Sequence, residues 1–219
     1  MSAADQTDST PSTSPVSSSK LKPTLALVIG SAISVVLDQW SKAWAVATIL
    51  KTPGAHVEMI AGVPVDPRYL NPDPFSITSW FRFTLVGNKG AAWGIFKDLP
   101  ETMRVPFFVI LSAIALIVLL TLYYKSAGQK LTQTALILIA GGAVGNLIDR
   151  VQIGYVIDFI DWHIGQHHWP TFNVADISIS VGVGLIVIDT IRQTIQEVKA
   201  SRALAAAESA QGGEDSSDA

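Results

Sequence analysis

Four long apolar runs dominate the chain, at 24–48, 105–124, 131–149 and 174–190. A helix crossing the hydrocarbon core needs about 20 mostly apolar residues, so these runs predict four transmembrane helices. The first and third are interrupted by polar residues, which lipid tolerates only for a reason. Between the first two spans lies a long region, 51–101, whose early part carries Pro53, Pro64, Pro67, Pro72 and Pro74 and predicts an irregular surface excursion. Its later part, "WFRFTLV", alternates Phe81, Phe83 and Leu85 with Arg82, Thr84 and Val86. That two-residue period predicts a half-buried strand. With Trp80, Trp93, Trp162 and Trp169 placed to sit at headgroup depth, the expectation is an all-α membrane protein of four transmembrane helices with a small β-rich periplasmic interfacial element.

Composition agrees. Of 219 residues, 49% are hydrophobic and 15% charged, against roughly 25% charged in a soluble domain. The net charge of -3 conceals acidic ends on a basic body, since the first 19 residues and the last 17 hold acids but no base. Both ends read as disordered tails, 1–19 on the cytoplasmic side and 203–219 at the acidic end, flanking a membrane domain at 20–202. Lys20 and Lys22, Lys125 and Lys130, and Arg192, Lys199 and Arg202 flank the spans so that both termini are expected in the cytoplasm. No basic stripe interleaved with aromatics points to nucleic acid. The absence of cysteine excludes disulfides, thiolate metal sites and a cysteine nucleophile.

The charges near the spans are the candidate chemistry. Asp38 and Lys42 in "LDQWSK" are i and i+4 and can pair on one helical face, as a buried ion pair or as substrate contacts. Gly141 and Gly145 in "GGAVGNLIDR" form a small-xxx-small pair that admits a neighbouring helix. Asn146 and Arg150 share a face, and the adjacent Asp149 is read as neutralising Arg150. Asp158 sits in the apolar "YVIDFI", where burial would hold its proton. Asn173 and Asp176 in "FNVADIS" have the spacing of an N-cap and the third helical residue, and the helix dipole favours negative charge at Asp176. Asp176 could also serve only as a cap.

If the third and fourth spans are neighbours, Asp158 and Asp176 converge at one membrane depth. One protonated and one ionised carboxyl can polarise a peptide carbonyl and activate water. A serine mechanism has less support, because Ser41 adjoins Lys42 without facing it on a helix. His163, His167 and His168 in "HIGQHH" offer i, i+4 metal-ligand spacing, but with no HExxH helix they read as interfacial loop histidines.

Four blocks in order, "DQWSK", "NKGAAWGIF", "GGAVGNLIDRVQIGYVIDFI" and "FNVAD", resemble the bacterial lipoprotein signal peptidase family, signal peptidase II. The resemblance covers most of 25–190. It implies an aspartic endopeptidase that removes signal peptides from prolipoproteins, cutting before a diacylglyceryl-modified cysteine. It implies Asp158 and Asp176 as the catalytic pair, with Asp38, Lys42, Asn88, Gly142, Asn146, Arg150 and Asn173 lining or supporting the site. It further implies no metal or organic cofactor, and prolipoproteins and membrane lipids as partners of a monomeric enzyme. Lys89 and Trp93 depart from the family pattern, and the region before Trp80 is longer than usual. The alternative from another class is a small proton-coupled transporter, although no inverted repeat is evident and the key carboxylates lie at span ends.

Overall fold

The computed structural model describes residues 18–49, 59–60, 63–64, 75–90 and 100–214. Trp93, most of the Pro-rich excursion and the first 17 residues lie outside the described residues. Four helices carry the fold: α1 Ser18–Ile49, α2 Glu101–Lys125, α3 Lys130–Ile153 and α4 Val174–Glu214. All four are long and apolar enough to cross a membrane. α4 runs well past 190 and through most of the stretch expected as an acidic tail. The sequence "RALAAAESA" accounts for this, since alanine and leucine are the strongest helix formers.

The outward faces of α1, α2 and α4 expose Val36, Ile117, Val118 and Val187, each about half or more accessible. Water would not tolerate so continuous an apolar belt, whereas lipid is the solvent that such faces match. This is a multi-pass membrane protein.

α3 packs against all three other helices. Its glycines make this possible. A Cβ on Gly141 would lie 2.5 Å from the Cβ of Ser34, and one on Gly145 would lie 2.5 Å from Asp38, so both face α1. Gly142 instead faces α4, where a Cβ would collide with the carbonyl oxygen of Ala175. Small residues let helix backbones approach where lipid offers no hydrophobic driving force.

The strands are β1 Met59–Ile60, β2 Val63–Pro64, β3 Phe75–Ser76, β4 Phe81–Asn88, β5 Val156–Ile164 and β6 His167–His168. β1 pairs with β2, and the other four form one antiparallel sheet in the order β3-β4-β5-β6. β4 is the strand that the alternation in "WFRFTLV" predicts. β5 occupies what the sequence reads as an outer loop, because both of its faces are largely buried over 156–161 and its hydrophobicity does not alternate. Its wealth of β-branched and aromatic residues was the available signal. Gly154, left-handed at φ 77°, ends α3 and turns the chain directly into β5.

Two apolar clusters bracket the bundle. Leu27, Tyr123 and Leu136 pack at the end carrying the short α2–α3 link, where the Tyr123 hydroxyl donates to the Pro23 carbonyl at 2.7 Å. Ala45, Ile49, Leu85, Phe159 and Ile160 join the other end of α1 to the sheet. Between them, just below the sheet, the polar residues gather.

Candidate active site

Lys42 is 2% exposed, yet its ammonium is fully satisfied. It donates to Asp38 Oδ2 at 2.8 Å and Asn146 Oδ1 at 3.0 Å, and pairs with Asp149 Oδ2 at 2.8 Å. These partners match the three donors that an ammonium possesses. The Asp38–Lys42 pair therefore forms as its spacing predicts, and the close ion pair of Asp149 is with Lys42 rather than with its neighbour Arg150. Successive helical residues lie about 100° apart, so Asp149 shares the face of Gly145 and Asn146, toward α1, and meets Lys42.

Two residues absent from the sequence-derived site complete this cluster. Gln39 Nε2 donates to Asp149 Oδ1 at 2.9 Å and to Asp38 Oδ2 at 3.1 Å. Asp149 also accepts the backbone N–H of Ile157 at 3.1 Å, which ties it to the residue before Asp158. Asp38 Oδ1 accepts the N–H of Ala175 at 2.9 Å, satisfying one of the free donors in the first turn of α4. The charge cluster thus holds both β5 and α4 by their backbones.

Asn173 is the hinge between the two candidate carboxylates. Its side-chain oxygen accepts the N–H of Asp176 at 3.0 Å, while Asp176 Oδ2 accepts the N–H of Asn173 at 3.2 Å, a reciprocal capping box. Its amide nitrogen donates to Asp158 Oδ1 at 2.7 Å and to Asn146 Oδ1 at 3.1 Å. Asn146 in turn donates to Asp176 Oδ1 at 2.9 Å. One buried asparagine therefore touches both Asp158 and Asp176, although they belong to different elements and lie 18 positions apart.

Asn88, at the end of β4, donates to Asp158 Oδ2 at 3.0 Å and accepts the N–H of Gly90 at 3.1 Å. The guanidinium of Arg150 donates to the carbonyls of Gly90 at 3.2 Å and Asn146 at 3.3 Å, and lies over the ring of Phe108 at 4.8 Å. Asp158, Asp176, Asp38, Lys42, Asn88, Asn146, Arg150 and Asn173 thus form one connected cluster, with Gly142 backing it against α4.

Asp158 is 2% exposed. Burial first, and then the neighbouring Asp176 carboxylate, push its pKa up to about 8, against the opposing hydrogen bonds from Asn88 and Asn173 and the attraction of Lys42. It holds a proton at neutral pH. A neutral acid beside a second carboxyl group at the end of a membrane bundle is an arrangement suited to acid–base hydrolysis.

The family profile described as Signal peptidase (SPase) II matches residues 30–192. The chain belongs to the signal peptidase II family. A lipoprotein signal peptidase of Janthinobacterium sp. (strain Marseille) is 42% identical over 63% of this chain and 82% of its own length. Another from Geobacter sulfurreducens is 39% identical over 79% of this chain and 96% of its own. A solved bacterial membrane enzyme, at 33% identity, superposes with a TM-score of 0.60 over 77% of this chain and 89% of that one. As a family member the protein is a membrane peptidase, and nothing favours the transporter reading.

Proposed function

We propose that the protein removes signal peptides from diacylglyceryl-modified prolipoproteins by aspartic catalysis, with Asp158 and Asp176 as the catalytic pair. The observation that carries this reading is the convergence of both carboxyl groups on Asn173, and burial, which pushes the Asp158 pKa up to about 8, supports it. The Asp176 carboxylate takes a proton from water as the water oxygen attacks the carbonyl carbon of the residue before the lipidated cysteine. Asp158 gives its proton to the carbonyl oxygen, forming a gem-diol. Collapse of that intermediate breaks the C–N bond, and the cysteine nitrogen leaves as an amine after receiving a proton from the pair. Lys42 and Asp38 hold the first turn of α4 and the start of β5, so they support this geometry without joining the reaction.

The diacylglyceryl group keeps the substrate in the bilayer, since each buried CH₂ contributes about 0.8 kcal/mol. A site at the ends of the spans receives the scissile bond from lipid and water from outside. With both termini cytoplasmic in a bacterial inner membrane, the sheet faces the periplasm.

Asp158→Asn and Asp176→Asn are each expected to lower cleavage of a diacylated precursor peptide by at least about 100-fold in detergent, with circular dichroism unchanged. Substantial cleavage by either folded variant would overturn the assignment.

A further inference from the structure

The hairpin of β5 and β6 brings together a second set of chemical groups. Asp161 and His163 are two residues apart on β5 and share one face. His168 is the cross-strand partner of His163, so it shares that face too, and the two imidazole rings stack with centroids 4.9 Å apart. Arg82 is the cross-strand partner of Asp161. His167 lies opposite Ile164 and points to the other face. Gly165, at φ 60°, provides the left-handed turn that closes the hairpin.

One donor atom from each of Asp161, His163 and His168 lies within 4.8 Å of the others. The Asp161 carboxylate is already oriented, since Arg82 Nε holds Oδ2 at 2.5 Å while His168 Nδ1 lies 2.9 Å from Oδ1. His163 Nδ1 is buried and has no hydrogen-bond partner among the described residues. A buried ring nitrogen left unsatisfied loses its hydration with no return, unless something else binds there.

We propose that Asp161, His163 and His168 form a binding site for a divalent transition-metal ion, separate from Asp158 and Asp176. Two imidazoles and one carboxylate select ions such as Zn²⁺, Co²⁺ or Cu²⁺ over Mg²⁺ and Ca²⁺. Zinc bonds of about 2.0–2.2 Å require the donor atoms to draw closer, an adjustment that the exposed His168 side chain permits. His168 gives up its contact with Asp161 and offers that ring nitrogen to the ion. Arg82 stays on Oδ2 as an outer partner that fixes the carboxylate, and its positive charge weakens the attraction for a cation. A cleft of about 1010 Å³ lined by Trp80, Trp162, His163, His168 and Trp169 gives access to the ion and to completing waters. Alternation along β5 places Asp158 on the opposite face, so the ion ties β5 to β6 without entering the reaction.

The test uses the full-length chain in detergent, with any affinity tag removed, stripped with EDTA and desalted. Titration calorimetry with ZnCl₂ is expected to give saturable binding of about one equivalent, as a single three-ligand site should. His163→Gln and His168→Gln should each weaken binding about tenfold or more, and His167→Gln should leave it unchanged. On the wild-type chain, Cu²⁺ electron paramagnetic resonance should show coupling to imidazole nitrogen, a readout that needs no variant. Absence of saturable Zn²⁺ binding, absence of nitrogen coupling, or undiminished binding in the His163→Gln/His168→Gln double variant would each overturn the proposal.

Discussion

Asp158 shows what burial does to a carboxyl group. Removed from water and set beside Asp176, it keeps its proton until about pH 8. Two consequences follow with definite signs. If Asp158 acts as the acid, cleavage should fall about tenfold per pH unit once the pH passes about 8, which a pH profile of kcat/KM will read. For stability, a raised folded-state pKa contributes fully below the ordinary carboxylate value of 3.8 and is lost as pH rises through about 8. Asp158→Asn carries no such cost. Its Tm should exceed that of the wild type, by a margin that widens as pH rises from 3.8 to about 8 and then levels off; a constant margin, or a lower Tm throughout, would contradict the assignment. Asp161 behaves oppositely. Burial raises its pKa, but hydrogen bonds from His168 and Arg82 outweigh that and hold it below the usual range.

α3 is the element on which the architecture turns, because its glycines decide how closely α1 and α4 approach. Gly142 has the Ala175 carbonyl and the Ile179 side chain where a Cβ would go, whereas Gly184 has nothing within 4 Å. Gly142→Ala should therefore push the first turn of α4, and with it Asn173 and Asp176, away from Asp158. A destabilisation of about 1–3 kcal/mol is expected from such overpacking, together with loss of cleavage. Gly184→Ala, in open space on α4, should leave cleavage intact and stabilise by up to about 1 kcal/mol. Thermal unfolding and peptide cleavage on both variants measure the contrast; equal effects would mean that the close approach at Gly142 is not what positions the pair.

The bundle as a unit has two unlike ends, one with the sheet and site and one with the α2–α3 link between Lys125 and Lys130. Basic residues beside short links stay in the cytoplasm, which supports a sheet that faces outward. The absence of native cysteine makes a direct measurement simple. In intact spheroplasts, Gln166→Cys in the hairpin should react with a membrane-impermeant maleimide, and Ala127→Cys in the link should react only after permeabilisation. The reverse pattern would place the site in the cytoplasm, where a translocated prolipoprotein could not present its cleavage site.

Hydrophobic length and periodicity were enough to read four spans and the β4 strand, because those features depend on local contact with lipid or a half-buried sheet. The pairing of Asp38 with Lys42, and the cap at Asn173, were equally legible, since both rest on spacing within a helix. Other features were not. β5 has no alternation because both of its faces are covered, and that covering comes from elements distant in sequence. Asp149 was read with its neighbour Arg150, but helical rotation and the approach of α1 gave it Lys42 instead. Gln39 joined the cluster, and Asp161, His163 and His168 met on one face, only once the helices and hairpin had assembled. The sequence determined which segments enter the membrane and which residues could do chemistry there; the tertiary structure alone decided which of those groups meet, because burial and partnership arise between elements that no local pattern connects.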